Sequence, residues 1–437
     1  MDLDGYSSNR RVYLRQGHNQ TGNEAKQQKV CFHWRAGKCT RVPCPFLHRE
    51  LHPPPSSTSS FANSRNGYST KRGFSNEEDS SGPPSSRRAT FNSAGTSNWG
   101  GRNQNNNNGY KRSFQKTEKI CNYWLQSNCT YGEKCRFMHA WSVGDSLKLL
   151  TDLDGHKMRV TGIAMSSDKL YSGSQDKTVR VWDSNSGQCL GEVNVGHEVG
   201  CVICEGHWVF VGARDFVKAW NTQSNAELTL AGPVGLVFAL TVGNNLLFAG
   251  AQDGAILAWT FNVVTNNFEP AASLAGHTNS VVSLIVGANK LFSGSMDNSI
   301  RVWSLENLQC VQTLIDHSTV VMSVLCWDQY LLSCSLDKTI KVWAAAENGV
   351  LEMVYSHVEE YGIVAMCGLL DCEGKPVLLC SCNDNVVRLY DLPSFMERGK
   401  IFAKQEIRAI HGGPGGLFFT GDGTGQVRVW TCLPSAT

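Results

Sequence analysis

The chain has no run of 18 apolar residues, and its N-terminus is polar. A helical membrane span takes about 20 apolar residues, so neither a span nor a secretory leader is expected, and no membrane partner. Also missing are a glycine-rich phosphate loop, a nucleophile motif and a metal-ligand set with an open position. No catalytic residue and no small-molecule substrate are therefore assigned, and the protein is read as a non-enzyme. The expected compartment is reducing, nucleus or cytoplasm. Short basic pairs such as Arg87-Arg88 and Lys111-Arg112 tilt that expectation towards the nucleus. Most of the 17 cysteines should then be buried thiols or metal ligands, not disulfides.

No charge dominates overall, with 40 Lys+Arg against 38 Asp+Glu. The balance conceals a division. Residues 1–139 carry 21 basic and 9 acidic side chains, net +12; residues 140–437 carry 19 and 29, net −10. A basic arm suited to a polyanion precedes an acidic part that would repel one.

Within the arm, residues 1–29 are polar and lack a periodic apolar face, which predicts a disordered basic tail. Residues 50–119, rich in Ser, Asn, Gly and Pro, have too few aliphatic side chains to bury a core and read as a disordered linker. Aromatics such as Phe61, Trp99 and Tyr110 are spaced among its Arg and Lys residues, a composition suited to weak RNA contacts. Each segment is followed by a short cysteine-rich module. Residues 30–49 hold Cys31, Cys39, Cys44 and His48; residues 120–140 hold Cys121, Cys129, Cys135 and His139. Three thiolates and one imidazole close a tetrahedral zinc site and leave no place for a catalytic water. Modules this short cannot bury a core, so metal binding would supply their folding energy. Two structural zinc ions are expected. His18, His33 and His52 are read as solvated, and the lone Cys201/Cys204 pair as structural.

Both arrays resemble CCCH zinc fingers. That resemblance implies binding of single-stranded RNA, with bases stacked on aromatics between the ligands. The matching positions are Trp124, Tyr131 and Phe137 in the second finger, with Lys134 and Arg136 placed for phosphates, and Trp34 and Phe46 in the first. The first finger has Arg41 where the second has Tyr131, so the second is the better RNA candidate.

From Gly155 the sequence repeats with a period of about 40, a WD-repeat signature. Anchoring aromatics at Trp182, Trp220, Trp259, Trp303, Trp343, Tyr390 and Trp430 predict an all-β propeller of seven blades over residues 146–432. The family pattern implies structural His–Asp pairs from His156, His197, His277, His317 and His357 to an aspartate before each anchor. Repetition from blade to blade marks these as turn-holding contacts, not catalytic dyads. The last blade has room for three strands, and Leu147–Leu153 is the predicted fourth, closing the ring and hiding its edges.

Two CCCH fingers followed by such an array resemble the plant zinc-finger WD-repeat proteins. The expectation is an adaptor whose fingers bind single-stranded RNA, duplex DNA being less suited, and whose propeller recruits protein. The alternative is a protein scaffold, such as a ubiquitin-ligase substrate receptor. That option is weakened because Trp182-Asp183-Ser184-Asn185 and Tyr390-Asp391-Leu392-Pro393 lack the expected arginine.

Overall fold

A computed structural model describes residues 117–434. The first array, with Trp34 and Phe46, the tail 1–29 and nearly all of the linker 50–119 lie outside the described residues. The strand Thr117–Ile120 begins inside the segment read as linker and pairs in parallel with Phe137–Met138 of the second finger.

Beyond the finger, nearly everything is antiparallel strand, arranged as repeated units around a ring. Each unit's second strand lies between neighbouring units and is covered on both faces. Lys169–Ser174 and Lys290–Ser295 are accordingly buried at every position after the first. Outer strands such as Cys189–Asn194 stay open to solvent. A repeated small-to-large fit joins the units. A Cβ on Gly173 would come within 2.5 Å of Val199 of the next unit, and one on Gly421 within 2.5 Å of Val160. The second contact joins the last unit to the first, so the ring is closed.

The expected separate blades appear as six sheets, one of them seven-stranded. The cause is local. Where the units of Trp182, Trp220 and Trp303 carry Gly-His, this one has Gly232-Pro233, and the strand Glu227–Gly243 runs through without a break. Its first half pairs with Arg214–Asn221 and its second half with Leu246–Ala251.

The strand Leu147–Leu153 pairs antiparallel with Val427–Cys432, from Val427↔Leu153 to Cys432↔Leu147. Leu147 and Leu153 are buried, and Arg428 Nε donates to Asp152 Oδ1 at 2.9 Å. The residues before this strand form a strand of their own. Ser142–Val143 pairs with Met396–Phe402 as the fifth strand of its sheet. Gly144 makes the next bend at φ +113°, where a Cβ would lie 2.7 Å from the Arg398 carbonyl oxygen. The segment that follows the finger thus shares backbone hydrogen bonds with the propeller.

Three of the five expected histidine–aspartate pairs form: His156–Asp176 at 2.9 Å, and His277–Asp297 and His317–Asp337 at 2.8 Å. In each unit the ring's Nε2 meets a serine hydroxyl (Ser172, Ser293, Ser333) at 2.7–2.8 Å. That serine also accepts the indole N–H of Trp182, Trp303 or Trp343 at 2.8–2.9 Å. Burial pulls all three histidine pKa values down, despite the adjacent carboxylates. For Asp176 and Asp297 burial pushes the other way, but hydroxyl, backbone N–H and histidine partners outweigh it and lower both to about 2. These groups are spent on holding turns.

His197 and His357 do not pair as expected. Asp215 lies one residue nearer its tryptophan than the others do. It adopts φ +70° and accepts the Gly235 N–H at 2.7 Å instead. His357 lies 3.6 Å from Glu359, while Asp384 is taken by Arg388 at 2.8 Å.

Candidate functional site

The second finger is built from very short elements. Cys121 precedes a one-turn helix, Asn122–Leu125, that buries none of its residues. A 3-10 turn over Gly132–Lys134 leads into Cys135, and the strand Phe137–Met138 delivers His139. Cys121 N donates to Met138 O at 2.9 Å, closing the loop. With so little apolar burial, the cluster at the centre must hold the module together.

Ligand atoms of Cys121, Cys129, Cys135 and His139 lie within 4.8 Å of one another. The Cys121 and Cys135 sulfurs are 3.7 Å apart. A tetrahedron with metal–sulfur bonds of about 2.3 Å has sulfur–sulfur edges of about 3.8 Å, so this is ligand spacing. His139 Nε2 is buried and has no hydrogen-bond partner among the described residues. The donor set fits a four-coordinate zinc ion and offers no fifth position. Burial would raise the Cys121 pKa. The Trp124 backbone and the His139, Cys135 and Cys129 side chains instead bring it down to about 7. For Cys135 the Phe137 backbone N–H lowers the pKa, but burial and its neighbouring thiols outweigh that and raise it. One sulfur thus ionises readily and its neighbour resists, a mismatch that a cation would relieve.

The aromatics divide into two groups. Tyr131 is 70% exposed and Phe137 44% exposed, both on the finger's surface. Lys134 and Arg136 are exposed beside them. Trp124 is half-buried and faces inward. It stacks on His139 with ring centroids 5.6 Å apart at 12°, and packs on Trp141 at 4.8 Å. Trp141 in turn covers the Arg428 guanidinium at 3.8 Å and accepts the Phe402 N–H through its carbonyl at 2.8 Å. The chain of contacts runs from the metal ligand through two indoles to the strand Val427–Cys432 of the propeller.

Sequence reasoning passed over Tyr123, which is 68% exposed, and over Trp141. The signal for Tyr123 was present. Neighbouring residues on a helix point about 100° apart, so of Tyr123 and Trp124 only one can face inward. Trp141 had no signal from its immediate neighbours, because its propeller partners, Phe402 and Arg428, lie more than 250 residues away.

Fold and cluster define a WD-repeat propeller joined to a CCCH-type zinc finger. The WD domain, G-beta repeat family matches residues 147–183, 268–304 and 308–344, the repeats that end in Trp182, Trp303 and Trp343. The CCCH-type zinc finger family matches residues 119–140, and the RNA-binding, Nab2-type zinc finger family matches residues 31–48.

Over nearly its whole length the chain is similar to plant proteins. It is 59% identical to zinc finger CCCH domain-containing protein 48 of Arabidopsis thaliana, covering 100% of this chain and 99% of the relative. It is 60% identical to zinc finger CCCH domain-containing protein 63 of the same plant, covering 98% of each. Zinc finger CCCH domain-containing protein 17 of Oryza sativa subsp. japonica is 55% identical over 98% of this chain and 97% of its own. The chain belongs to this family of plant CCCH zinc-finger proteins with WD repeats.

Proposed function

We propose that this protein is a non-enzymatic RNA-binding adaptor. Its fingers take single-stranded RNA and its propeller recruits a protein partner. Two structural zinc ions hold the fingers, one on Cys31, Cys39, Cys44 and His48, the other on Cys121, Cys129, Cys135 and His139. The observation that carries this reading is the exposure of Tyr131, Phe137 and Tyr123 on a module with almost no core of its own. Three large aromatics left in water by so small a module are ready stacking platforms. Each stacked base contributes roughly 1–3 kcal/mol, and Lys134 and Arg136 supply phosphate contacts. The Nab2-type match of the first finger supports the same reading. Trp34 and Phe46 would serve that finger as Tyr131 and Phe137 serve the second; Trp124 acts as the joint.

We also count the ring as seven blades, taking the seven-stranded sheet as two units fused through Glu227–Gly243. A nuclear location, argued from the basic pairs of the arm, belongs to the same proposal and is tested by imaging the tagged chain.

The test is binding of the zinc-loaded chain to a randomised single-stranded RNA pool. Replacing Tyr131 and Phe137 together with alanine should weaken binding at least about tenfold while the propeller's melting temperature holds. Unchanged affinity would remove the stacking mechanism. Binding that merely collapses with salt would reduce the arm to an electrostatic tether. Cys135→Ser should lose one zinc per chain by atomic absorption; full occupancy would overturn that ligand.

A further inference from the structure

We propose that the cleft between the second finger and the propeller is a nucleotide subsite, taking one unstacked base of the RNA strand. It rests on the RNA-binding reading above and adds the propeller to the reading surface.

The cleft holds about 340 Å³, within the range of small-ligand sites, roughly 300–1,000 Å³. One wall is the finger helix and the turn after it, with Asn122, Leu125 and Gln126; the other is Asn385, Val386 and Lys404 of the propeller. The chemistry matches a base. Leu125 and Val386 offer apolar surface to its faces. Asn122, Gln126 and Asn385 carry both donors and acceptors for its edge. Among the described residues, hydrogen bonds of these three residues run through the backbone, leaving the side-chain amides available. Lys404 is exposed at the mouth, placed for the adjoining phosphate. It also borders a second cleft of about 290 Å³ against Trp124 and Trp141, so the two clefts share a cation.

The one acid in the lining, Asp384, does not repel an anion freely, because both its oxygens face Arg388, at 3.2 and 2.8 Å. Both walls are fixed before ligand arrives. The Trp124–Trp141–Arg428 stack and the Ser142–Val143 strand set the finger's position, so little ordering is left to oppose binding.

The experiment uses the full zinc-loaded chain and the same randomised RNA pool. Asn385 sits at φ +66°, so Asn385→Asp keeps a side chain that tolerates this backbone while removing the amide donor. Combined with Lys404→Gln, it should weaken binding about tenfold and erase preference at one position of the enriched motif, with zinc content unchanged. Wild-type protein crosslinked to 4-thiouridine RNA should yield adducts within residues 120–127 and 384–404. If Tyr131→Ala/Phe137→Ala abolishes binding while the cleft variants bind normally, and adducts map only to the finger's exposed aromatics, the subsite is overturned and the RNA reading stands. If no RNA binds, both fall. Lys404→Gln alone alters a solvent-exposed side chain, so its effect is readable even if the double variant folds poorly.

Discussion

Compare the unit around Trp303 with the one around Tyr390. In the first, a neutral histidine, a serine and an indole pass hydrogen bonds inward from a single carboxylate, Asp297. In the second, Tyr390 OH donates to Glu359, which also lies 3.6 Å from both Arg388 and His357. Burial first, then the Glu359 contact, raises the tyrosine's pKa. The same ring position is held by one nearly charge-free chain in one unit and by an ionic knot in the other. The WD domain family matches the first kind and passes over the second. The repeat signature thus reports a mode of turn-holding, and the blade outlasts its loss.

The difference can be tested by breaking each network at its centre. Glu359→Ala should have the largest effect, about 3 kcal/mol, because it leaves the buried Tyr390 hydroxyl without its acceptor and Arg388 with Asp384 alone; a thermal shift near zero would mean water has entered. Asp297→Ala should cost less, about 2 kcal/mol by chemical denaturation, as the histidine it leaves behind is neutral. A cost equal to that of Glu359→Ala would erase the distinction.

The pH response should sharpen it further. The tetrad histidines have folded pKa values below the unfolded value of about 6.5. The unfolded chain therefore binds more protons below that pH, and stability falls on acidification. Asp176 and Asp297, lowered to about 2, add stability present above about pH 4 and lost as pH falls towards 2. A denaturation midpoint that rises from pH 7 to pH 5 would contradict this. His277→Gln should flatten the first part of the slope. The smallest effect is expected at Asp215, whose exposed carboxylate serves one backbone N–H; its alanine variant should cost under about 1 kcal/mol.

Much of the molecule was readable from residue order. Cysteine spacing picked out the four residues that now lie within 4.8 Å, because metal ligands in so small a module must be close in sequence. The ring's strand units followed from short repeated strings such as GSMDNSIRVWS. What was not readable depends on distant partners. Trp124 looked like a stacking platform, and only the position of Trp141 and Arg428 turns it inward. Residues 140–146 showed no strand in the sequence because two-residue strands have no periodicity to detect. The continuous strand through Gly232-Pro233 was obscured by residues that ordinarily end strands.

The pairing of Leu147–Leu153 with Val427–Cys432 also fixes an order of events on the ribosome. Asp152 and Arg428, which meet across that seam, are 276 residues apart in sequence. The finger and the closing strand leave the exit tunnel long before the strand's partner is made. Until then the nascent chain carries the strand Leu147–Leu153 without its partner. The ring can close only after Val427–Cys432 has emerged. A ribosome that stalls after the second finger but before Val427 would therefore hold the finger without the closed ring it is seated on.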